Sequence, residues 1–485
     1  MLDIRQMGGP QAEQPKQPPI GSFEGYVECP LFSEECKITL EKDGLTIAGR
    51  FHQLPILYGE IRAIKAGEYR LELDTAGGGV VFSRMGPQLQ WLSDKLTDAF
   101  NDAVVEALLV KGEPAMAARC GYTAKEGEAS HQGEAAVRLY EDCLLLLPPN
   151  ENARRLPLCW LTGLDNKNFA LELTLATGEQ YTLSKMGRDL DELDRQMTAK
   201  LRALREQTLE WQKKLAPTLG SMQAAASGSL MPLGRAADFG KLGQMAPPLA
   251  SSLEEKVGGS RMADTFPWLR DLCGGEGLML GAIPTPEKAE GEQPAMAMPA
   301  GVELGGMMNM ANPSAEEGAQ AEEAPAEPPP ILWLMAPDRE KTVAAVELAL
   351  ADNEAAATYL YRIEGGWEAF ALLIDRALEA AGFQRETILL SEDKLASPEH
   401  IKDAMLLKRT PALQTLRRCF VGRAIHSSQE RWRRDIETRR EEAAKARQPA
   451  APMREQAHAP KFCTGCGARL TPGVKFCGQC GAKMN

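Results

Sequence analysis

Between residues 20 and 215 the chain repeats itself, with an offset of about 100 residues. Residues 69–73 (YRLEL) match residues 169–173 (FALEL), and residues 82–86 (FSRMG) match residues 183–187 (LSKMG). After each motif, apolar residues recur at the spacing of one helix face. They are Leu89, Leu92, Leu96 and Phe100 in the first copy and Leu190, Leu193, Met197 and Leu201 in the second. The steady offset indicates two copies of one structural unit.

Each copy has the pattern of short strands followed by one helix. Apolar and polar residues alternate with a period of two, and turn residues such as 42–44 (KDG) and 76–79 (AGGG) separate the alternating stretches. A small antiparallel sheet leaves an apolar opening that a terminal helix can cover. We therefore expect two tandem antiparallel β-barrel or sandwich units, at residues 20–115 and 116–215, each closed by a C-terminal helix. A disordered N-terminus is expected at residues 1–19.

A meander of strands closed by one C-terminal helix resembles the pleckstrin-homology-like (PH-like) fold. The resemblance implies binding either of inositol phospholipids or of proteins and peptides. Phospholipid binding needs a basic cluster in the loop between the first two strands, where it pairs with phosphates. Residues 29–36 (CPLFSEEC) are acidic at this place, and residues 125–131 (KEGEASH) of the second copy are not basic. A phosphoinositide membrane is therefore disfavoured, and a protein-binding or architectural role remains.

After residue 215 Gly, Ala, Met and Pro become frequent, and we expect a linker at residues 216–251. Residues 284–330 contain nine Pro and nine Glu but no Ile, Phe, Trp or Tyr. Such a segment cannot bury enough apolar surface to offset the entropy of ordering, so we expect a disordered insertion. Its apolar flanks at residues 277–283 and 331–335 are predicted to pair as strands, because loop-closure entropy grows slowly with loop length.

Residues 252–440 are expected to form an α+β domain on flexible linkers, the second at residues 441–460. The predicted elements are a helix at 264–272, strands at 342–350 and 357–363, a helix from Trp367 to Ala381 ended by Gly382, a short strand or extended arm at 387–390, and helices from 397 to 446 broken near Pro411. The stretch 342–350 would also tolerate a helix. The interleaved charges of residues 431–447 favour a solvated helix over a nucleic-acid surface.

We found no catalytic motif. Cys419 and His426 are seven residues apart and have the chemistry of a nucleophile and a base. On a helix this spacing is two turns, about 10 Å, which is too far for a hydrogen bond, so we interpret them as a buried thiol and a satisfied histidine. A phosphate-binding loop, HExxH, GxSxG and a dinucleotide fingerprint are all missing. These absences disfavour an enzyme. The alternative of a catalytic activity in the 252–440 domain that uses none of the known motifs remains.

The tail repeats a cysteine motif, first as residues 461–470 (KFCTGCGARL) and then as residues 475–484 (KFCGQCGAKM). The four thiols predict one Zn²⁺ ion in a closed tetrahedral site, which makes the metal structural rather than catalytic. The predicted ligands are Cys463, Cys466, Cys477 and Cys480. Metal binding, worth on the order of 10–16 kcal/mol, must supply the folding free energy of so short a unit. The tail at residues 461–485 resembles the short zinc ribbons at the ends of many bacterial proteins, which implies metal binding and little else.

The net charge of −12 is unevenly distributed. From residue 401 onward there are 18 Lys and Arg against 7 Asp and Glu, so residues 401–485 carry +11 and the first 400 residues carry −23. The N-terminus lacks the features of a signal peptide, and no stretch reaches the ~18 apolar residues of a membrane span. The seven cysteines outside the tail are scattered singly, as free thiols are in a reducing compartment. We therefore expect a cytoplasmic protein.

Together these features predict a non-enzymatic adaptor or scaffold that binds a protein partner through its tandem units and carries a structural zinc ribbon. The alternative is a nucleic-acid-associated protein that uses the basic C-terminal third and the ribbon. The sequence identifies neither the partner nor the oligomeric state.

Overall fold

A computed structural model describes residues 18–285, 328–349 and 357–447. Most of the N-terminus expected to be disordered, most of the 284–330 insertion and the whole zinc ribbon lie outside the described residues. The described ranges are mixed α/β, and the three sheets within them are antiparallel throughout.

The first unit is a seven-stranded antiparallel sheet followed by a helix. Its strands are β1 (Gly21–Glu28), β2 (Ser33–Leu40), β3 (Gly44–Ala48), β4 (Gln53–Leu57), β5 (Ile61–Ala66), β6 (Arg70–Thr75) and β7 (Gly78–Ser83), in the spatial order β4-β3-β2-β1-β7-β6-β5. Helix α1 (Gln88–Ala107) then places Leu92, Leu96 and Phe100 in the core, as the helical spacing predicts.

The second unit has the same topology. Its strands are β8 (Met116–Glu126), β9 (Ala129–Leu139), β10 (Cys143–Leu147), β11 (Arg154–Pro157), β12 (Leu161–Lys167), β13 (Ala170–Leu175) and β14 (Gln180–Ser184), in the order β11-β10-β9-β8-β14-β13-β12, followed by helix α2 (Asp189–Leu215). Leu71 pairs with Phe82 in the first sheet as Leu171 pairs with Leu183 in the second. The internal repeat is thus confirmed.

The repeated SRMG and SKMG motifs form the turn from the last strand into the helix. Arg84 and Gly86 have φ values of 56° and 55°, and Lys185 and Gly187 have values of 59° and 60°. The methionine between each pair is buried in its own unit. Two left-handed residues thus turn the chain while the side chain between them enters the core, which explains the glycine.

The third sheet has six strands in sequential order. They are β15 (Ala237–Asp238), β16 (Met279–Ile283), β17 (Ile331–Pro337), β18 (Val343–Ala349), β19 (Ala357–Arg362) and β20 (Phe420–Ile425). The predicted pairing across the insertion is confirmed, because Ile283 lies opposite Ile331 and Gly281 opposite Trp333. Within the ambiguous stretch 342–350, Val343–Ala349 form strand β18, which is buried on both faces between β17 and β19.

The segment 216–251 differs from the linker that its composition predicts. It contains helices α3 (Ser221–Leu230) and α4 (Phe239–Met245) and begins α5 (Pro247–Gly258). Leu242, Leu249 and Leu253 are fully buried in the core that covers one face of the third sheet. Burial of these apolar side chains therefore orders a segment whose local signals for a helix are weak.

The remaining helices are α6 (Thr265–Leu272), α7 (Trp367–Ala380), α8 (Glu386–Leu389), α9 (Glu392–Leu395), α10 (Ile401–Arg409), α11 (Pro411–Cys419) and α12 (Gln429–Arg447). Helix α7 ends before Gly382, which has a φ of 58°, and α11 begins at Pro411, both as predicted. Two predictions were wrong. Residues 387–390, predicted to be extended, lie largely in α8, and strand β20 occupies a stretch predicted to be helical. Helix α12 also continues into the predicted 441–460 linker.

One cluster of buried side chains includes residues from all three sheets, and two further clusters lie in the second unit and on one face of the third sheet. The third sheet is therefore packed against the first two units and is not held by flexible linkers alone. One cluster of buried side chains runs from the first sheet through Tyr140 and Leu145 of the second unit to Trp333 and α7. Ile64 N donates to Pro149 O at 2.8 Å, which joins β5 to the β10–β11 loop. Lys402 of α10 pairs with Glu106 of α1 at 2.7 Å. The contacts that join the units are therefore both apolar and ionic.

Candidate functional site

The predicted zinc ligands Cys463, Cys466, Cys477 and Cys480 lie outside the described residues, so their geometry stays a prediction. Within residues 18–285, 328–349 and 357–447, no group of three or more His, Cys, Asp or Glu side chains could hold a metal ion. In the same ranges, no helix combines the length and apolar character needed to cross a bilayer.

The seven cysteines outside the tail are free thiols. Burial raises the pKa of the Cys36 thiol to about 11 and that of the Cys120 and Cys143 thiols to about 12. A thiol with so high a pKa carries almost no thiolate at neutral pH and is a poor nucleophile. Cys36, Cys120 and Cys143 therefore act as small apolar side chains.

Cys419 and His426 are not brought together, although for a different reason than a helical spacing. Strand β20 separates them, and six extended residues span roughly 20 Å. His426 Nε2 instead lies 2.7 Å from Glu347 Oε1 and 3.0 Å from the hydroxyl of Thr358. Burial and nearby Glu364 raise the pKa of the Cys419 thiol to about 11.

The polar group around His426 is a structural network of the core beneath α12. The fully buried Thr358 hydroxyl contacts Glu347 and accepts a hydrogen bond of 2.6 Å from Trp432 Nε1. Trp268 packs on the Trp432 ring with centroids 5.4 Å apart. The Thr358 hydroxyl thus contacts Glu347, His426 and Trp432 at once, which is typical of a hydrogen-bonded polar cluster in a core.

A second polar cluster joins the second unit to α7. Arg155 donates to Asp142 at 2.8 Å and also pairs with Glu379. Arg376 pairs with the same Glu379 and donates to the Arg155 carbonyl at 2.6 Å. Burial lowers the pKa of Arg155, but Glu379, Cys143 and Asp142 together outweigh burial and raise this pKa above its ordinary value. These contacts join the second unit to α7.

Two loops at one end of the first sheet expose apolar side chains. Leu31, between β1 and β2, is 71% exposed, and Phe51, between β3 and β4, is 84% exposed. The loops are held together because Phe32 stacks on His52 with centroids 5.2 Å apart, and His52 Nδ1 lies 3.2 Å from Glu34. We call these five residues the loop-end surface. It presents apolar groups on an ordered base beside a carboxylate.

The corresponding loops of the second unit differ from those of the loop-end surface. Its β8–β9 connection is a tight turn at Gly127, which has a φ of 63°. Its β10–β11 loop is engaged by the first unit, because Asn150 forms a β-bridge with Ala63 and Glu151 N donates to Arg62 O at 3.1 Å. This loop is therefore part of the joint between the units, whereas the loop-end surface of the first unit faces solvent.

A groove of about 630 Å³ lies between the first unit and helices α9 to α11. Leu57 and Gly59 line it on one side, and Ile401 and Leu407 line it on the other. A Cβ at Gly59 would lie 2.3 Å from Cγ1 of Ile401, so glycine permits the close approach of the two parts. The residues that line the groove also hold the first unit against helices α9 to α11. We therefore interpret the groove as part of this internal interface.

The basic side chains of the C-terminal third largely face carboxylates in the described part of the chain. Arg433 pairs with Asp271 at 2.6 Å, and Arg440 pairs with Asp338 at 2.9 Å. Further pairs at 2.7–3.2 Å are Lys402–Glu106, Lys408–Glu151, Arg417–Glu392 and Arg418–Glu364. Such pairing weakens the positive field that would attract nucleic acid.

Comparison with known proteins identifies the tail. The family model for the zinc-ribbon domain matches residues 462–484, a stretch that includes all four predicted ligands, so the tail is supported as a structural zinc-binding module. No curated protein matches the chain. A chain in the structure of the Spt16D Pob3N heterodimer is similar at 12% identity, over 33% of this chain and 86% of that chain, with a TM-score of 0.15. A TM-score so low carries no argument about fold or function.

Proposed function

We propose that this protein is a non-enzymatic adaptor that binds a protein partner through the loop-end surface of its first unit. The observation that carries the proposal is the exposure of Leu31 and Phe51 on loops that the Phe32–His52 stack holds in place. Exposed apolar groups on a fixed base are typical of protein-binding sites, since they can be buried without a large cost of ordering.

We further propose that residues 20–115 and 116–215 are two PH-like domains. The shared strand order and the helix after the seventh strand support this assignment. The second domain and the third sheet would then serve as the rigid base on which the first domain presents its loops. The joint through Arg155 and Glu379 fits this division, because it fixes the orientation of the second unit against α7.

The chemistry of the loop-end surface favours a particular kind of partner. Glu34 and Glu35 lie beside the exposed apolar groups, and Glu28 ends the preceding strand. These carboxylates repel anionic headgroups, so a phosphoinositide membrane stays disfavoured. A segment with one or two apolar side chains flanked by Lys or Arg would match both the apolar and the acidic parts of the surface.

The experiment is a pull-down of tagged full-length protein from native lysate, with and without nuclease. The variant carries Leu31→Ser and Phe51→Ser, and the control is Phe169→Ser, because Phe169 is 91% exposed in the second unit. Burial of one such apolar side chain is worth about 1.5–3 kcal/mol. The wild type and the control should therefore retain a discrete partner that the double variant loses by about tenfold or more.

Two results would overturn the adaptor proposal. In the first, the double variant retains the same proteins as the wild type. In the second, all co-purifying proteins leave with nucleic acid on nuclease treatment, which would support the alternative based on the basic C-terminal third. Lys461, Arg469, Lys475 and Lys483 of the tail are the residues that favour that alternative. Nucleic-acid binding by the full chain should then weaken steeply as salt increases.

We propose one structural zinc ion per chain, held by the four tail cysteines. Four thiolates fill a tetrahedral site and leave no position for water or substrate. The free thiols of the rest of the chain are consistent with a reducing compartment, and we propose a cytoplasmic location.

A further inference from the structure

The groove between the first unit and helices α9 to α11 has an apolar lining that the described part of the chain does not fill. Its volume of about 630 Å³ is within the range of pockets that bind ligands, and such pockets occur preferentially where two units meet. The larger apolar residues and small alanine that line it are Leu57, Leu395, Pro398, Ile401, Ala404 and Leu407.

The charged side chains of the groove already have partners. Four of them line it, two acidic and two basic, so they contribute no net charge. Glu392 pairs with Arg417 at 2.7 Å, and Lys408 pairs with Glu151, which does not line the groove, at 3.2 Å. Glu60 accepts a hydrogen bond of 2.8 Å from a backbone N–H three residues earlier in the chain. The lining therefore favours an apolar occupant that carries no net charge.

The chain enters the fold beside this groove. The backbone N–H of Ile20 donates to the carbonyl of Leu40 at 2.8 Å. The next carbonyl, that of Glu41, accepts a hydrogen bond of 2.9 Å from the hydroxyl of Tyr58. Tyr58 is flanked in the chain by two residues that form one wall of the groove. Residues 1–17 therefore precede a point that is connected to this wall by two hydrogen bonds.

The first residues of the chain have a composition that matches the groove. Residues 1–7 (MLDIRQM) contain four large apolar side chains, and their one acid and one base balance each other. Residues 8–17 (GGPQAEQPKQ) contain no large apolar side chain. These ten residues span up to about 35 Å when extended, which is enough to connect residues 1–7 to the groove.

We propose that residues 1–7 bind in this groove of their own chain, with the side chains of Leu2 and Ile4 buried between its two walls. Burial of these apolar groups provides the affinity. The tether holds the segment near the groove at an effective concentration on the order of millimolar, so a contact of modest intrinsic affinity is sufficient. The bound segment would join the first unit to α10 and exclude other apolar ligands from the groove. This inference is independent of the adaptor function.

The test compares the full-length protein with a shortened variant that lacks residues 2–9 and keeps every described residue. The probe is a fluorescently labelled synthetic peptide of residues 1–9. Fluorescence anisotropy should show that the peptide binds the shortened variant about tenfold or more tightly than the full-length protein, whose own segment competes with it. A peptide with Leu2→Ser and Ile4→Ser should bind the shortened variant about tenfold or more weakly, because it buries less apolar surface.

A matched pair of alanine substitutions in the shortened variant tests the groove. Ala396→Glu places a carboxylate in the lining, whereas Ala225→Glu places one on α3, which does not line the groove. Both alanines are exposed, so neither substitution should disturb folding. Ala396→Glu should weaken peptide binding by about tenfold or more, since the occupant would desolvate the new charge, and Ala225→Glu should leave binding unchanged.

A photo-cross-linker shows whether the segment binds its own chain. Benzoylphenylalanine in place of Gln6 of the full-length protein should give a product with the mass of one chain, in which residue 6 is joined to residues 57–60 or 395–408. A product of two chains would overturn the proposal, because the groove would then hold a second copy. A peptide that does not bind the shortened variant, or that binds it and the full-length protein equally, would also overturn it. Equal peptide affinities of the Ala396→Glu and Ala225→Glu variants would exclude the groove as the binding site.

Discussion

Asp375 should make the stability of this protein fall as pH rises between about 4 and 7. Its side chain on α7 is 1% exposed. Oδ1 accepts from Trp333 Nε1 and Oδ2 from the Ala236 backbone N–H, both at 2.8 Å. Burial raises the pKa of this carboxyl from 3.8 to about 7, because the two hydrogen bonds and nearby Arg235 only partly offset desolvation of the charge.

The sign follows from proton binding. Between pH 4 and 7 the unfolded chain has lost this proton while the folded protein still holds it, so the folded state binds more protons and the free energy of unfolding falls as pH rises. The contribution is fully present below pH 4 and is lost as pH passes 7. A difference of about three pKa units, at 1.36 kcal/mol each, sets an upper limit of about 4 kcal/mol.

The assay is urea unfolding followed by tryptophan fluorescence across this pH range, for the wild type and Asp375→Asn. The difference in unfolding free energy, wild type minus variant, should fall by up to about 4 kcal/mol from pH 4 to 7.5 and then level off. Asparagine has one carbonyl oxygen for two N–H donors, which adds a cost of about 1–3 kcal/mol that does not depend on pH. Asp393→Asn, at an exposed position, reports the effect of the same substitution without burial. A difference that stays constant with pH, or rises, would refute the reasoning.

Metal analysis of the full-length protein should find one zinc ion per chain. Cys477→Ser should lower the zinc content, whereas Cys29→Ser, which replaces a free thiol outside the tail, should not. Equal zinc contents in the two variants would exclude the tail as the zinc site. Gly281→Ala should destabilise the protein by about 3 kcal/mol or more in thermal unfolding, since a Cβ there would lie 1.9 Å from the buried ring of Trp333. Gly243→Ala should instead stabilise it by about 0.5–1 kcal/mol, because the new methyl group on α4 meets nothing within 4 Å. Similar Tm values for the two glycine variants would contradict this explanation.

The repeat in the first half could be read from the chain because its signals are local. The turn before each helix depends on a glycine with positive φ, Gly86 or Gly187, directly after a buried methionine. Both copies of the unit therefore keep the same short motif. The pairing of β16 with β17 could also be predicted. These two apolar strands flank an insertion that contains no Ile, Phe, Trp or Tyr, so they are easily recognised in the sequence. The zinc ribbon belongs to this class as well, since ligand spacing alone carries its chemistry.

Other elements could not be predicted because their neighbours decide them. Residues 387–390 contain Thr and Ile and favour a strand, yet they lie largely in α8, where Ile388 is buried. Strand β20 follows directly from a helix and exists because it pairs with β19. Residues 216–251 look like a linker in composition, and only their packing on the third sheet makes them helical.

The candidate sites divide in the same way. The spacing of the four cysteines predicts the zinc ligands. The loop-end surface could not be predicted, because the sequence does not show which loops of the first unit are covered by other parts of the protein and which are exposed. Nothing local marks Arg409 as buried, since an arginine at the end of a helix is ordinarily a solvated residue that favours the helix dipole.

The sequence alone determined the duplicated unit, the paired strands on either side of the insertion and the zinc-binding chemistry of the tail. The repeat and the zinc ribbon depend on interactions between residues close in the chain. The strand pair could be recognised because both strands are apolar and the insertion between them is largely polar. The tertiary structure alone decided that side chains of all three sheets meet in one buried cluster, that residues 216–251 contain helices and that Arg409 is buried. The physical reason is that burial is a property of the assembled surfaces, and local patterns do not specify which surface a segment meets.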